Sequence, residues 1–311
     1  MMFPQAHVPE AAAAAVEQGF NAGEVIIGHV SNSSIEHPLF HLPTVLGVNL
    51  SVTKHVFMLW VVAASVFAIV TLIVRRSVAR AELKPAGAAS GIEVVVEFLR
   101  DGVIVPNIGE KWAKTWTPLL LTFFFFILGA NAIGLLPIFD TLALIDRWVL
   151  HTGPDSFLTH VLHGGSTATG NYNVTAALAI VTFFAIIVAG TRAHGFVTHW
   201  KNLVPKGLPG PLYVLLIPLE IVGMLVRPFA LTMRLAANMT GGHIALLAIM
   251  SFVFIFAEML GAAGGVGIGL GFSVPLSVAL SGLEIIVVLV QAYVFTLLTA
   301  VFIGMAINAH H

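Results

Sequence analysis

Two series of polar residues recur at intervals of seven inside otherwise apolar sequence. Glu220, Arg227 and Arg234 form one, and Ser277, Glu284 and Gln291 the other. At 100° per residue, seven positions return to within 20° of the start. Each series is therefore a stripe along one helix face, its members about 10.5 Å apart. Asn238, four beyond Arg234, stays near the first stripe, whereas His243, nine beyond, points to the far side. An arginine cannot shed its proton, and placing one at the centre of a membrane helix costs about 2.5–3.5 kcal/mol on insertion scales. Polar stripes in such surroundings are paired, or line water, or both. Their chemistry is that of a fixed cation facing groups that can gain and lose protons.

The composition makes the surroundings a bilayer. Of 311 residues 58% are hydrophobic and 9% charged, with a mean hydropathy of +0.97, against roughly 25% charged in soluble domains. A net charge of −1 offers no bulk attraction to nucleic acid. With no cysteine there is no disulfide, thiolate metal site or Cys nucleophile. No basic stretch leads into an apolar one at the N-terminus, so no cleaved signal peptide is expected.

Residues 1–53 read as a soluble arm with at most short helices, and residues 54–309 as the membrane domain. Val56–Val74 is a charge-free run of nineteen residues, enough to cross about 30 Å of hydrocarbon. It ends at Arg75-Arg76, with Arg80 and Lys84 beyond. Residues 91–105 place Glu93, Glu97, Arg100 and Asp101 at helical spacing, which suits an amphipathic helix on the cytoplasmic interface or docked on other spans. A second span covers 117–139, carrying Asn131 and preceded by Trp112 and Trp116 as interfacial anchors. A polar loop, 140–172, follows, with His160 and His163 three apart, a weak metal signal. A third span is 173–191, opening at Asn173, and apolar runs cover 211–257 and 273–309, joined by a glycine-rich link at 261–271. Of fourteen Lys and Arg, seven lie in 75–115 and three in 192–206. These are the cytoplasmic segments by the positive-inside rule, which puts the N-terminus outside and, after five crossings, the C-terminus inside.

The last two runs are too long for perpendicular spans. Forty-seven and thirty-seven residues rise about 70 and 55 Å, against about 30 Å of hydrocarbon. Either the first run splits at a polar turn around 238–242, which would bring water to Arg234, or both helices are strongly tilted against another protein surface.

The segment Pro228-Phe-Ala-Leu-Thr-Met-Arg-Leu-Ala-Ala-Asn-Met-Thr-Gly-Gly-His243 resembles subunit a of the F-type ATP synthase. So do Pro218-Leu-Glu220, Gln291-Ala-Tyr-Val-Phe295, Asn131 with Leu135-Leu-Pro-Ile138, and Asn173-Val-Thr175. These five motifs, in order, place the resemblance over about 54–309. It implies a stator subunit of the Fo sector in a bacterial plasma (inner) membrane. The stator's two long C-terminal helices form a tilted hairpin against a ring of c subunits, and b subunits of the peripheral stalk are further partners. It implies that Arg234 is the essential arginine. His243, Glu284, Asn238 and Gln291, with Asn131 and Asn173, would line the outer proton half-channel, and Glu220 the cytoplasmic one. Members of the family exchange acid and imidazole between the positions of His243 and Glu284. The chain departs from the pattern at Gly134, where some members carry an acid, and at Gly223, where some carry a serine. The resemblance implies no cofactor or metal and no chemistry of the chain's own.

A rival class is an ion-coupled secondary transporter with Arg234 holding an anionic substrate. Repeat symmetry, the mark of that class, is absent from the sequence, and over-long helices do not fit it. An intramembrane metallohydrolase would need a His-Glu-x-x-His pattern or a Ser–His pair, and neither is present at a suitable place. The sequence specifies an all-α membrane protein with about five spans.

Overall fold

The structure, a computed structural model, describes residues 21–30, 42–45, 48–49, 51–79, 87–135, 168–201 and 209–308. Most of the N-terminal arm, most of the polar loop with His160 and His163, and the Pro137 end of the second span lie outside the described residues.

The chain is an all-α membrane protein. Helices α1 (Ala22–Val30), α2 (Lys54–Ala79), α3 (Ala88–Leu99) and α4 (Val105–Ile108) precede α5 (Glu110–Leu135). Then come α6 (Tyr172–His194), α7 (Phe196–Lys201), α8 (Gly210–Ile268) and α9 (Val274–Ile307). A two-residue antiparallel pair, Thr44–Val45 with Val48–Asn49, lies between α1 and α2. Four helical stretches among the described residues are long and apolar enough to cross a membrane: His55–Ser77, Glu110–Leu135, Tyr172–His194 and Pro211–Ile307. The last contains both C-terminal runs. The chain divides into two compact units, 1–31 with 241–284, and 32–240 with 285–311.

The larger unit carries the core. Leu99, Val103, Ile104 and Ile108 are at most 1% exposed and pack with Leu120, Phe123 and Ile127 of α5 and Phe295, Ala300 and Ile303 of α9. Phe123 meets Phe295 edge-on at 5.5 Å, a favourable aromatic geometry. Small residues allow close approach, as in membrane helix packing generally. Gly129 of α5 admits Val66 of α2, and at Gly304 of α9 a Cβ would collide with the Asn107 carbonyl. Of the two placements open to residues 91–105, the docked one holds. Leu99, Val103 and Ile104 are buried in this core, whereas Val94, Phe98 and the charged Glu93, Glu97, Arg100 and Asp101 are exposed. A π-helical turn, Arg100–Ile104, separates α3 from α4 and lets both bury their apolar sides. Trp116 departs from its expected interfacial place. It is 5% exposed, because α5 begins at Glu110, before the expected span, and turns this side into the core.

Of the two alternatives for the first run, the split at 238–242 does not occur. The helical backbone of α8 is unbroken from Gly210 to Leu260, with Pro218 and Pro228 accommodated inside it. Helical geometry fails at Gly261, with φ 78° and ψ 175°, a left-handed φ that glycine adopts without strain. In place of an eleven-residue link, the reversal is concentrated at one glycine, and helix resumes directly after it. Within the smaller unit a Cβ on Gly265 would fall 2.9 Å from the Ala257 Cα and the Val253 carbonyl, and one on Gly269 3.3 Å from Val253. Phe252 and Phe272 stack at 6.2 Å. Positions equidistant from Gly261 therefore meet, as an antiparallel hairpin requires. A second π-helical turn, Gly269–Ser273, leads into α9.

Below α6, outside the apolar spans, His199 of α7 is 6% exposed. Its ring occupies the space left by Gly190, where a Cβ would collide with Nδ1. Its Nε2 has no hydrogen-bond partner among the described residues. Burial, and secondarily the charge of His194, hold its pKa below the ordinary 6.5. A histidine with a lowered folded-state pKa contributes stability above its unfolded pKa, and that stability is lost as pH falls through the window below about 6.5. Thermal unfolding in detergent should show the chain losing stability on acidification through this window, and His199→Gln losing less. Equal losses would remove His199 as the cause.

Candidate functional site

In the larger unit α8 buries one side and exposes the other. Leu231, Leu235, Ala236 and Met239 are 5% exposed or less, whereas Met233, Arg234, Ala237 and Asn238 are exposed. The exposed residues before them are apolar, Leu225, Val226 and Phe229 among them. Arg234 is thus a cation on an apolar, outward-facing helix surface. No carboxylate among the described residues forms an ion pair with it.

Gln291 of α9 is 6% exposed, and its Nε2 donates to the Arg234 backbone carbonyl at 3.4 Å, a long hydrogen bond. Gln291 therefore meets the arginine's backbone rather than its guanidinium. Glu220 is half-buried two heptads away on the same helix. Arg227, between them, lies with its guanidinium 5.4 Å from the Phe302 ring centroid. A cation on a ring face at that distance is stabilised by the ring quadrupole, which gives Arg227 a packing role.

Asn131 is fully buried, and its Oδ1 accepts a hydrogen bond from the Thr169 hydroxyl. Its Nδ2 has no partner among the described residues. Thr169 lies in a 3₁₀ turn, Ala168–Gly170, whose Gly170 carbonyl accepts from the Thr240 hydroxyl at 3.1 Å. This turn ties α5 to α8 at Thr240, the residue just before Gly241. Asn173 is exposed. Its backbone N–H is received at 2.8 Å by Asn171, whose side chain caps α6, as asparagine does at helix starts.

In the smaller unit Glu284 is 9% exposed. A Cβ on Gly242 would collide with its Oε1 and lie 3.2 Å from its Cδ. The carboxyl therefore rests over Gly242, beside the half-buried His243. The glycine is what makes room for the acid.

The structure thus brings Gln291 to Arg234, Glu284 to the Gly242-His243 pair, and Asn131 to Thr169. Among the described residues, the side chains of Glu220 and Asn173 form no hydrogen bond or ion pair with the other candidates. Thr169 and Gly242 were missed in the sequence. Thr169 lies in a stretch that reads as polar loop, and a glycine that clears space leaves no compositional signal. Thr169→Val should destabilise the chain by about 1–3 kcal/mol by leaving buried Asn131 without its hydroxyl partner. An unchanged melting temperature in detergent would contradict this.

A family profile described as "ATP synthase A chain" matches residues 56–304. "ATP synthase subunit a 2" of Chlorobium luteolum is 39% identical, over 93% of this chain and 76% of its own. "ATP synthase subunit a 2" of Prosthecochloris aestuarii and "ATP synthase subunit a" of Myxococcus xanthus are each 36% identical, over 99% of this chain and 86% of their own. With the profile spanning most of the chain and these identities holding over nearly all of it, the chain belongs to the ATP synthase subunit a family, and its partners are other subunits of that synthase.

Proposed function

We propose that this chain is the proton-translocating stator subunit of an F-type ATP synthase, pairing with a ring of c subunits and held by peripheral-stalk b subunits. In this reading it resides in a bacterial plasma (inner) membrane with its N-terminus outside and its C-terminus cytoplasmic. One observation carries it: Arg234 stands on an exposed apolar face and pairs with no acid among the described residues. A permanent cation there is stabilised by a counter-charge that arrives from outside the chain, and a carboxylate on a turning ring supplies one.

A ring carboxylate facing lipid is kept protonated, because an ion is expensive there. Next to Arg234 its ionised form is favoured, and its proton leaves by one half-channel. The carboxylate passes the arginine and takes a proton from the other half-channel. Since Arg234 cannot deprotonate, it also blocks direct hopping between the two paths. Glu284, with His243 next to its resting place on Gly242, forms the relay of the outer path, both groups being able to take up and release protons. Asn238, Gln291, Asn131 and Asn173 line that path, and Glu220 serves the cytoplasmic one. Each charge moved gains about 2.3 kcal/mol per 100 mV of membrane potential.

In inverted membranes carrying Arg234→Ala, ATP-driven proton pumping should fall to background while the complex still assembles. Coupled pumping at the normal rate would defeat the arginine assignment. For the relay, Glu284→Gln should lower pumping at least tenfold. Gly242→Ala, which displaces the carboxyl, should lower it less, and Gly241→Ala, whose Cβ meets nothing within 4 Å, should leave it unchanged. Near-normal pumping by Glu284→Gln would take that residue out of the path.

A further inference from the structure

Several helical serines and threonines in this chain return their hydroxyls to the carbonyl four residues back. Ser251 does so to Leu247 at 2.8 Å, Thr232 to Pro228 at 2.9 Å and Thr296 to Ala292 at 2.8 Å. Two serines at the start of α9 do not. The hydroxyls of Ser273 and Ser277 are buried without a hydrogen-bond partner among the described residues, and Ser273 is 0% exposed. A buried hydroxyl with no protein partner is a site for water or another polar guest.

These two serines stand in register with a third and with the acid. Ser273, Ser277, Ser281 and Glu284 follow one another at steps of four, four and three, the spacing of neighbours along a helix ridge. They fall within about 80° of one another and cover about 16 Å of rise. Ser281 is half-buried and Glu284 9% exposed, so the ridge stays out of the exposed surface occupied by Leu276, Val278 and Leu283. The ridge starts in the π-helical turn Gly269–Ser273, a form of turn that recurs at functional sites. All four residues lie within one compact unit.

We propose that the hydroxyls of Ser273, Ser277 and Ser281 hold a file of water that carries protons from the hairpin end of α9 to the Glu284 carboxyl. The proposal deepens the outer-path reading above and rests on Glu284 being its relay. Each transfer is neutral for the serine. Its oxygen accepts a proton from the water on the outer side as its own O–H proton passes to the water on the inner side, and the last water protonates the Glu284 carboxylate. Serine suits this task because one hydroxyl both donates and accepts and rotates freely.

The chain has no cysteine, so single thiols can report water along the ridge in the intact complex. Proton flux through the reconstituted complex carrying Ser273→Cys, Ser277→Cys or Val278→Cys is measured before and after Ag⁺ is added on the outer side. The flux before Ag⁺ shows that each variant has assembled, with Ser277→Thr as the conservative variant should Ser277→Cys fail to do so. The expected result is at least a tenfold loss on Ag⁺ addition for Ser273→Cys and Ser277→Cys, and no loss for Val278→Cys. Unchanged flux at both serines overturns the ladder, and so does equal inhibition at Val278→Cys. Glu284→Gln separates this failure from that of the relay. Impaired Glu284→Gln with Ag⁺-insensitive serine variants removes the ladder and leaves the relay. Unimpaired Glu284→Gln removes the relay and the ladder's destination with it.

Discussion

The larger unit presents a guanidinium that pairs with no carboxylate among the described residues. Arg234 keeps its charge at any accessible pH, and its helix presents it outward beside exposed Ala230, Met233 and Ala237. The chain's contribution is to anchor the backbone beneath it. Leu231 and Leu235 bury the far side of α8, and Gln291 reaches the Arg234 carbonyl from α9. These contacts hold the backbone beneath the arginine, and its side chain stays on the exposed face.

Glycine is the second organising element, for two different physical reasons. Gly261 supplies a backbone conformation that L side chains rarely adopt, and the hairpin reverses there. Gly242, Gly265 and Gly304 supply missing volume, for a carboxyl, a helix backbone and a carbonyl oxygen respectively. In a bilayer, where helices gain little from burying apolar surface against each other, such close approach provides the packing attraction. The polar groups are thus positioned as much by what is absent beside them as by what they touch.

Much of this was legible in the sequence because membrane insertion imposes simple rules. Apolar run length located the spans, and a period of seven sorted the polar residues into stripes. At Arg234 the stripes do not meet side chain to side chain, since Gln291 reaches the backbone carbonyl while the guanidinium side is exposed. What escaped detection depended on tertiary contacts. Trp116 reads as an interfacial anchor until α5 is seen to turn that side into the core. The Gly261–Gly271 stretch reads as a loop because glycine lowers helix propensity, yet the antiparallel partner holds most of it helical. Thr169 and Ser273 carry meaning only through what does or does not bond to their hydroxyls.

The unbroken helix from Gly210 to Leu260 has a consequence for solvation. Through the Leu231–Leu260 stretch the backbone N–H groups are committed to helix carbonyls. No unwound turn offers spare amides or carbonyls to solvate an ion, as interrupted helices do in many carriers. Hydration beside Arg234 is therefore dictated chiefly by side chains, a short and countable inventory. Changing one of its members alters the local capacity for water by whole hydrogen bonds, with no backbone reserve to absorb the difference.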